Sequence, residues 1–437
     1  MLGLKFMRAS RVGAIAALVM AMTSTGTAHA QLLIGRVVYS DFAKPEVGVI
    51  DVESGKVSRI VRVAAKRARL ASSSDGRFVF VATGEAKSRV QALDTGVLLE
   101  PHDDHWHIEK RPSRLLDFVA TGTKASHIVS GYGYTSIFFD GKSSEDGGGG
   151  ARAVLVDHAR LAKNRSIMAV WPSPARQHGM AVPLGAPLWA MTSPDVLQPP
   201  GVVEMPSGLH IVDASRSFEN RAILAADGRE GVQCEGIHGH TTMGELHAFG
   251  CRGGNGSSLP GALLFLERKG DGLEARNLPY PDHQRVNAIK ARSGGRYMVA
   301  AYGEGDRFNA FLRIDPQAKR LDLSDIWAPQ DISSTCQFEI SGNGRHVVNL
   351  LGDGTLRVYE ISPVWKEVGR VVAVPAFDCG VGSTGPRPSL GIVADSALVT
   401  DPTNRRIRRY DIASLALLTD WLVKGMPEGL ATGSATF

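Results

Sequence analysis

The feature that most constrains the fold is a unit that recurs along the chain: an apolar strand, a small-residue turn, a second strand, and a third strand ending in Asp. One copy runs Ser74-Asp75-Gly76-Arg77 into Phe78-Val79-Phe80-Val81, then Val90-Gln91-Ala92-Leu93-Asp94. Ser341-Gly342-Asn343-Gly344-Arg345 leading to Leu356-Arg357-Val358-Tyr359 is a second, and Ser293-Gly294-Gly295-Arg296 leading to Phe311-Leu312-Arg313-Ile314-Asp315 a third. Weaker copies run from Val47 to Gly55, Ser126 to Asp140, Gly179 to Asp213, His238 to Leu266 and Gly391 to Asp411. A repeat of about 50 residues built from short strands and Gly, Asn or Asp turns is the signature of propeller blades.

The expected fold is therefore all-β, a single β-propeller of eight blades, with seven as the alternative count. Long amphipathic helical periodicity is absent. Leu32 to Val63 reads as three strands lacking an innermost one, and Glu428-Gly429-Leu430-Ala431-Thr432 at the far end is placed to supply it. Such closure removes the exposed edges of an open sheet. The Ser143 to Gly150 stretch, rich in Gly, reads as a flexible surface loop, and Leu197 to Gly201, with two prolines, as a blade connection.

The first thirty residues stand apart from this pattern. Lys5, Arg8 and Arg11 precede an apolar run from Val12 to Met22 and a small-residue Ala28-His29-Ala30 site, the pattern of a cleaved secretory signal. The expected division is residues 1–30 as signal peptide and 31–437 as propeller. The apolar run is too short to span a bilayer, and no other stretch approaches the roughly 18 apolar residues that a spanning helix needs. Losing three basic residues takes the formal charge of +5 to about +2, which gives no reason to expect nucleic acid. An exported, periplasmic product without membrane insertion is the expectation.

Four cysteines in an exported chain read as two disulfides. Cys234 and Cys251 flank what reads as a hairpin, and a bridge there would contribute about 3 kcal/mol by restricting the unfolded chain. Cys336 and Cys379 would then pair across adjacent blades. A metal site of Cys234, His238 and Cys251 is the competing use of the first pair.

Two groups of histidines carry candidate chemistry. In Pro101-His102-Asp103-Asp104-His105-Trp106-His107, three imidazoles and two carboxylates fall within six residues. His102 and His105 would share a face of a helical turn, His105 and His107 a face of an extended segment, and an irregular loop would satisfy both. Imidazole with Asp104 or Asp103 suits zinc, copper(II) or nickel, and does not suit copper(I). The other group is dispersed: His127, His178 and His238 each stand at the entry to a blade's first strand. First strands line the channel of a propeller, so these three would converge near its axis, either as a three-ligand zinc site or as strand caps bonded to neighbouring blades. His158, His210, His247, His283 and His346 read as surface or turn residues.

Together these residues resemble the periplasmic zinc metallochaperones of the AztD type. The resemblance covers most of the mature chain. It rests on His102, Asp104, His105 and His107 in a His-x-Asp-His-x-His tract, and on Ser126-His127 with Phe138-Phe139-Asp140-Gly141. It rests also on His178-Gly179-Met180-Ala181-Val182-Pro183-Leu184, and on Cys234, His238-Gly239 and Phe249-Gly250-Cys251. It implies a non-enzymatic propeller, a monomer, that binds zinc and hands it to the solute-binding protein of a zinc ABC importer. One departure is His240, where the family pattern has Glu.

The competing function is an exported propeller enzyme of the lactonase or quinone-dependent dehydrogenase type. That would require a carboxylate-rich site at the channel mouth and a buried base, and the sequence shows no such cluster. It also lacks the Gly-x-Ser-x-Gly, His-Glu-x-x-His and Cys-x-x-Cys-His patterns.

Overall fold

The computed structural model describes residues 35–434, apart from 85–86, 103–104, 142–149, 164–167, 194–204, 225–231, 233, 253–260, 271, 305–307 and 381. Among the described residues, the strands form eight four-stranded antiparallel sheets, the expected eight blades. Blade 1 is closed as the sequence suggested. Its inner strand is the last described one, Pro427–Ser434, paired to the first described one, Gly35–Asp41, with Val37 opposite Thr432 and Val38 opposite Ala431. Side chains lock the seam: Ser40 Oγ accepts from Gly429 N at 3.0 Å, and Arg67 pairs with Glu428 at 3.0 Å.

The packing explains why the blades' middle strands read as continuous apolar runs. The core divides into eight clusters, and each lies between one pair of adjacent blades. Alternate residues of one strand serve opposite interfaces. Phe78 and Phe80 face blade 3 with Phe139, while Val79 and Val81 face blade 1 with Val38 and Val49. All four are fully buried. No strand face is left to water there, so alternation disappears from the sequence.

The recurring turn also has a local cause. Ser341 Oγ accepts from the backbone N–H of Arg345 and His346, Asn343 Oδ1 accepts from Arg345 N–H, and Gly344 takes the left-handed φ of +71° that closes the loop. Ser73, Asp75 and Gly76 repeat the arrangement in blade 2.

Both expected disulfides are present, Cys234–Cys251 and Cys336–Cys379. The first excludes the cysteine metal site, because both sulfurs are spent. Cys336, in the inner strand Thr335–Ile340 of blade 7, reaches Cys379 in the connection toward blade 8.

Blade 2 departs from the repeat. Between its third strand, Ser88–Asp94, and its outer strand, Arg114–Gly122, the chain makes an extra hairpin of Val97–His102 and His105–Lys110. The tract expected to be an irregular loop therefore lies on a two-stranded antiparallel ribbon. The correction follows from alternation along both of its strands, a hairpin pattern in its own right. The expected flexible loop at Ser143 and the Leu197 to Gly201 connection fall on stretches outside the described residues, as does the expected signal peptide at residues 1–30.

Candidate metal centre

His127 lies in the inner strand of blade 3, Ala125–Gly131; His178 just precedes that of blade 4, Ala181–Pro183; His238 is second in that of blade 5, Ile237–Met243. Bulges interrupt the strands of blades 3 and 5 at these places, between Ala125 and His127 and between Ile237 and His240. A bulge re-aims its side chains, and here it helps turn the rings of successive blades toward one another. The glycine after two of these histidines allows the close approach. A Cβ on Gly179 would stand 2.7 Å from Phe138, and Gly239, at φ +83°, passes a Cβ position 3.0 Å from the Asn287 carbonyl.

The three rings form a triangle. Centroids lie 4.8 Å apart for His127 and His178, 5.7 Å for His178 and His238, and 6.4 Å for His127 and His238. Three imidazoles on one tetrahedral zinc, with Zn–N of about 2.0–2.1 Å, have centroids about 5 Å apart. Among the described residues, no three His, Cys, Asp or Glu side chains are already gathered into a finished metal site. The triangle approaches that geometry and needs its longest side shortened by about 1 Å to reach it.

The sequence allowed each histidine a structural role, bonded to a neighbouring blade. Those bonds exist, and all three use the same nitrogen. His127 Nδ1 donates to the Gly179 carbonyl at 2.8 Å, His178 Nδ1 to Asp140 Oδ2 at 2.9 Å, and His238 Nδ1 to the Asn287 carbonyl at 2.7 Å. A neutral imidazole that donates from Nδ1 carries its lone pair on Nε2. This arrangement fixes the tautomer and orientation of a ligating histidine. The structural contact and the ligand role are thus compatible in one ring.

Electrostatics favours a neutral His127 ring and a charged support. Burial pushes His127 down to about 3, and the neighbouring His178 adds to the effect. Asp140 is buried; burial alone would raise its carboxyl, but the bond from His178 and the Lys124 ammonium 3.3 Å away hold it below the usual carboxylate range. Its Oδ1 is buried without a hydrogen-bond partner, leaving acceptor capacity beside the triangle.

The hairpin is built differently. Register pairs His102 with His105 and Glu100 with His107, which puts these four positions on one face of the ribbon. His102 and His107 are exposed, their ring centroids 6.4 Å apart. Asp104 and the His105 side chain lie outside the described residues. Lys110 anchors the base to Asp51 at 3.0 Å and Glu53 at 2.5 Å.

Two histidines assigned to surface or turns prove buried. His158 contacts Thr135 Oγ1 at 2.8 Å and Asp75 at 3.3 Å. His247, 2% exposed, stacks on His240. The adjacency of His238 and His240 was visible in the sequence; the approach of His247 depends on the fold.

No family model matches the chain. A curated relative, the zinc chaperone AztD of Citrobacter koseri, is 25% identical over 397 residues, covering 90% of this chain and 85% of the relative. Two crystal structures of Citrobacter koseri AztD, one of them the apo form, superpose with TM-scores of 0.74 and 0.75 at 21% identity, over 93% of this chain and 99% of theirs. The dihydro-heme d1 dehydrogenase NirN shares the fold more distantly, with a TM-score of 0.56 at 12% identity over 91% of this chain and 75% of that one. In sequence and in fold alike, the chain is similar to AztD, as its histidine and cysteine motifs indicated.

Proposed function

We propose that this chain is a periplasmic zinc chaperone, not an enzyme, that holds zinc at His127, His178 and His238 and delivers it to the solute-binding protein of a zinc ABC importer. The observation that carries the reading is the common hydrogen-bond pattern: three adjacent rings from successive blades, each bonded through Nδ1, which in a neutral imidazole puts the lone pair on Nε2. Three protein ligands leave a fourth zinc position for water or an incoming ligand, as sites that exchange ligands require. The likeness to AztD points the same way. The fold alone does not decide, since a dehydrogenase shares it.

In this reading residues 1–30 are removed on export and residues 31–437 form the monomeric chaperone. Both disulfides suit an oxidising compartment. Among the described residues no helix is long and apolar enough to cross a membrane. The hairpin, with His102, Asp104, His105 and His107, is the transfer element. Release from a buried site needs incoming ligands to replace outgoing ones, and an exposed ribbon rich in imidazole can supply them. No nucleic acid enters this reading.

The test is zinc retention after dialysis. Wild-type protein should keep about one tightly bound equivalent, and His178→Ala should lose it. Retention by His127→Ala, His178→Ala and His238→Ala alike would refute the triangle as holding site.

A further inference from the structure

Directly beyond the triangle, a second pair of imidazoles faces each other. His240 Nε2 and His247 Nδ1 are 3.3 Å apart, with the rings stacked at 20° and their centroids at 5.5 Å. His240 lies two residues beyond His238 on the inner strand of blade 5, and His247 on the next strand, Leu246–Cys251. We propose that His240 and His247 form a second, weaker zinc position, a way station between the histidine triangle and the face of the propeller that carries the histidine hairpin.

Two features support the site. The first is its bite. Two nitrogens 3.3 Å apart, each about 2.0–2.1 Å from a zinc ion, subtend close to the tetrahedral angle at the metal. The second is orientation. Tyr132 Oη donates to Glu245 Oε2 at 3.1 Å and lies 3.4 Å from His247 Nε2. With its proton directed to Glu245, the phenol oxygen accepts from His247 Nε2–H, and the His247 lone pair is held on Nδ1, toward His240. A carboxylate, phenol and imidazole in series orient this ring as an outer partner orients a metal-bound histidine.

Without an ion, the 3.3 Å contact is an N–H···N bond from His240 Nε2 to His247 Nδ1. Zinc takes its place when the His240 proton moves to Nδ1 of the same ring, with no net proton release. Thr242 Oγ1, 3.5 Å from His247 Nδ1, and water complete the coordination. Two imidazoles and neutral oxygens make a weaker set than three imidazoles, as a station on a path requires.

Topology gives the path its direction. Antiparallel strands put the first-to-second and third-to-fourth connections of every blade on one face. The turn at Gly244 and the turn at Tyr132 are first-to-second connections, and the hairpin of blade 2 is a third-to-fourth connection. His238 stands near the opposite end of its strand. Along blade 5 the order is therefore His238, His240, then Thr242 and the exposed Glu245 on the hairpin's face.

The proposal rests on the triangle as holding site, and the test separates the two. In a background where His102, His105 and His107 are all Ala, zinc is titrated against chromophoric chelators of differing strength. The expected result is two steps, a tight one lost in His178→Ala and a weaker one lost in His240→Gln and in His247→Gln with the tight step intact. Near-UV circular dichroism checks that the buried substitutions leave the fold in place. Tyr132→Phe, which removes only the orienting hydroxyl, should weaken the second step about tenfold and leave the first unchanged. A single step in the background protein, or a second step that survives both His240→Gln and His247→Gln, overturns the proposal. Loss of the weaker step in those variants while His178→Ala keeps its tight zinc overturns the holding-site reading and leaves the second position standing.

Discussion

The triangle and the hairpin use the same side chain in opposite surroundings. In the triangle each ring is fixed by a bond from Nδ1 to another blade, and burial depresses His127 to about 3. In the hairpin His102 and His107 stand exposed on a two-stranded ribbon held at its base by Lys110. Preorganisation makes a site tight and slow to release. Exposure makes one weak and quick to exchange. The proposed carrier function needs both, and would place them on different elements of one scaffold.

The sharpest way to break this comparison is to exchange the expected phenotypes. His127→Ala, His178→Ala or His238→Ala should lower zinc affinity beyond the 10–100-fold that loss of a supporting partner costs, because a ligand itself is lost. Competition with a chelator measures it. Replacing His102, His105 and His107 together should leave the tight equivalent in place and slow transfer to the solute-binding protein, by about tenfold or more if the ribbon supplies the entering ligands. Stopped-flow transfer kinetics checks this; if this variant loses tight zinc while the triangle variants keep theirs, the roles are reversed.

A smaller effect separates ligand from support. Asp140→Asn keeps the shape but removes the charge that faces His178 Nδ1, and it should weaken zinc about tenfold without abolishing binding. An unchanged affinity would mean that orientation by the backbone suffices.

The turn chemistry that repeats along the chain was legible because its causes are local. Ser341, Asn343 and Gly344 satisfy one another within a few residues, and ring closure followed from counting strands in the first unit. What was not legible depends on distance along the chain. His178 finds Asp140 38 residues away, and Tyr132 lies 115 residues from His247. Polarity alone put His247 and His158 at the surface; the fold covers both. The tract at 102–107 differs for another reason: ligand spacing points to a loop, although alternation along Val97–His102 and His105–Lys110 describes a hairpin.

The smallest predicted effect concerns acid. His127 and His247 stay neutral in the folded protein down to about 3 and about 4. The unfolded chain takes up those protons near the ordinary value of about 6.5, so metal-free stability falls as pH drops below that value. His247→Gln should remove about one proton from that linkage between pH 6.5 and 4 and flatten the decline. Melting temperature against pH, with and without the substitution, measures the slope; parallel curves would contradict the buried, neutral state.

The central claim is that the triangle holds the metal, and anomalous diffraction at the zinc edge from crystals of the zinc-loaded protein tests it most directly. The account predicts a strong peak about 2.0–2.1 Å from Nε2 of His127, His178 and His238, with each Nδ1 still bonded to Gly179, Asp140 or Asn287. A strongest peak at the hairpin, with the triangle vacant, would contradict it.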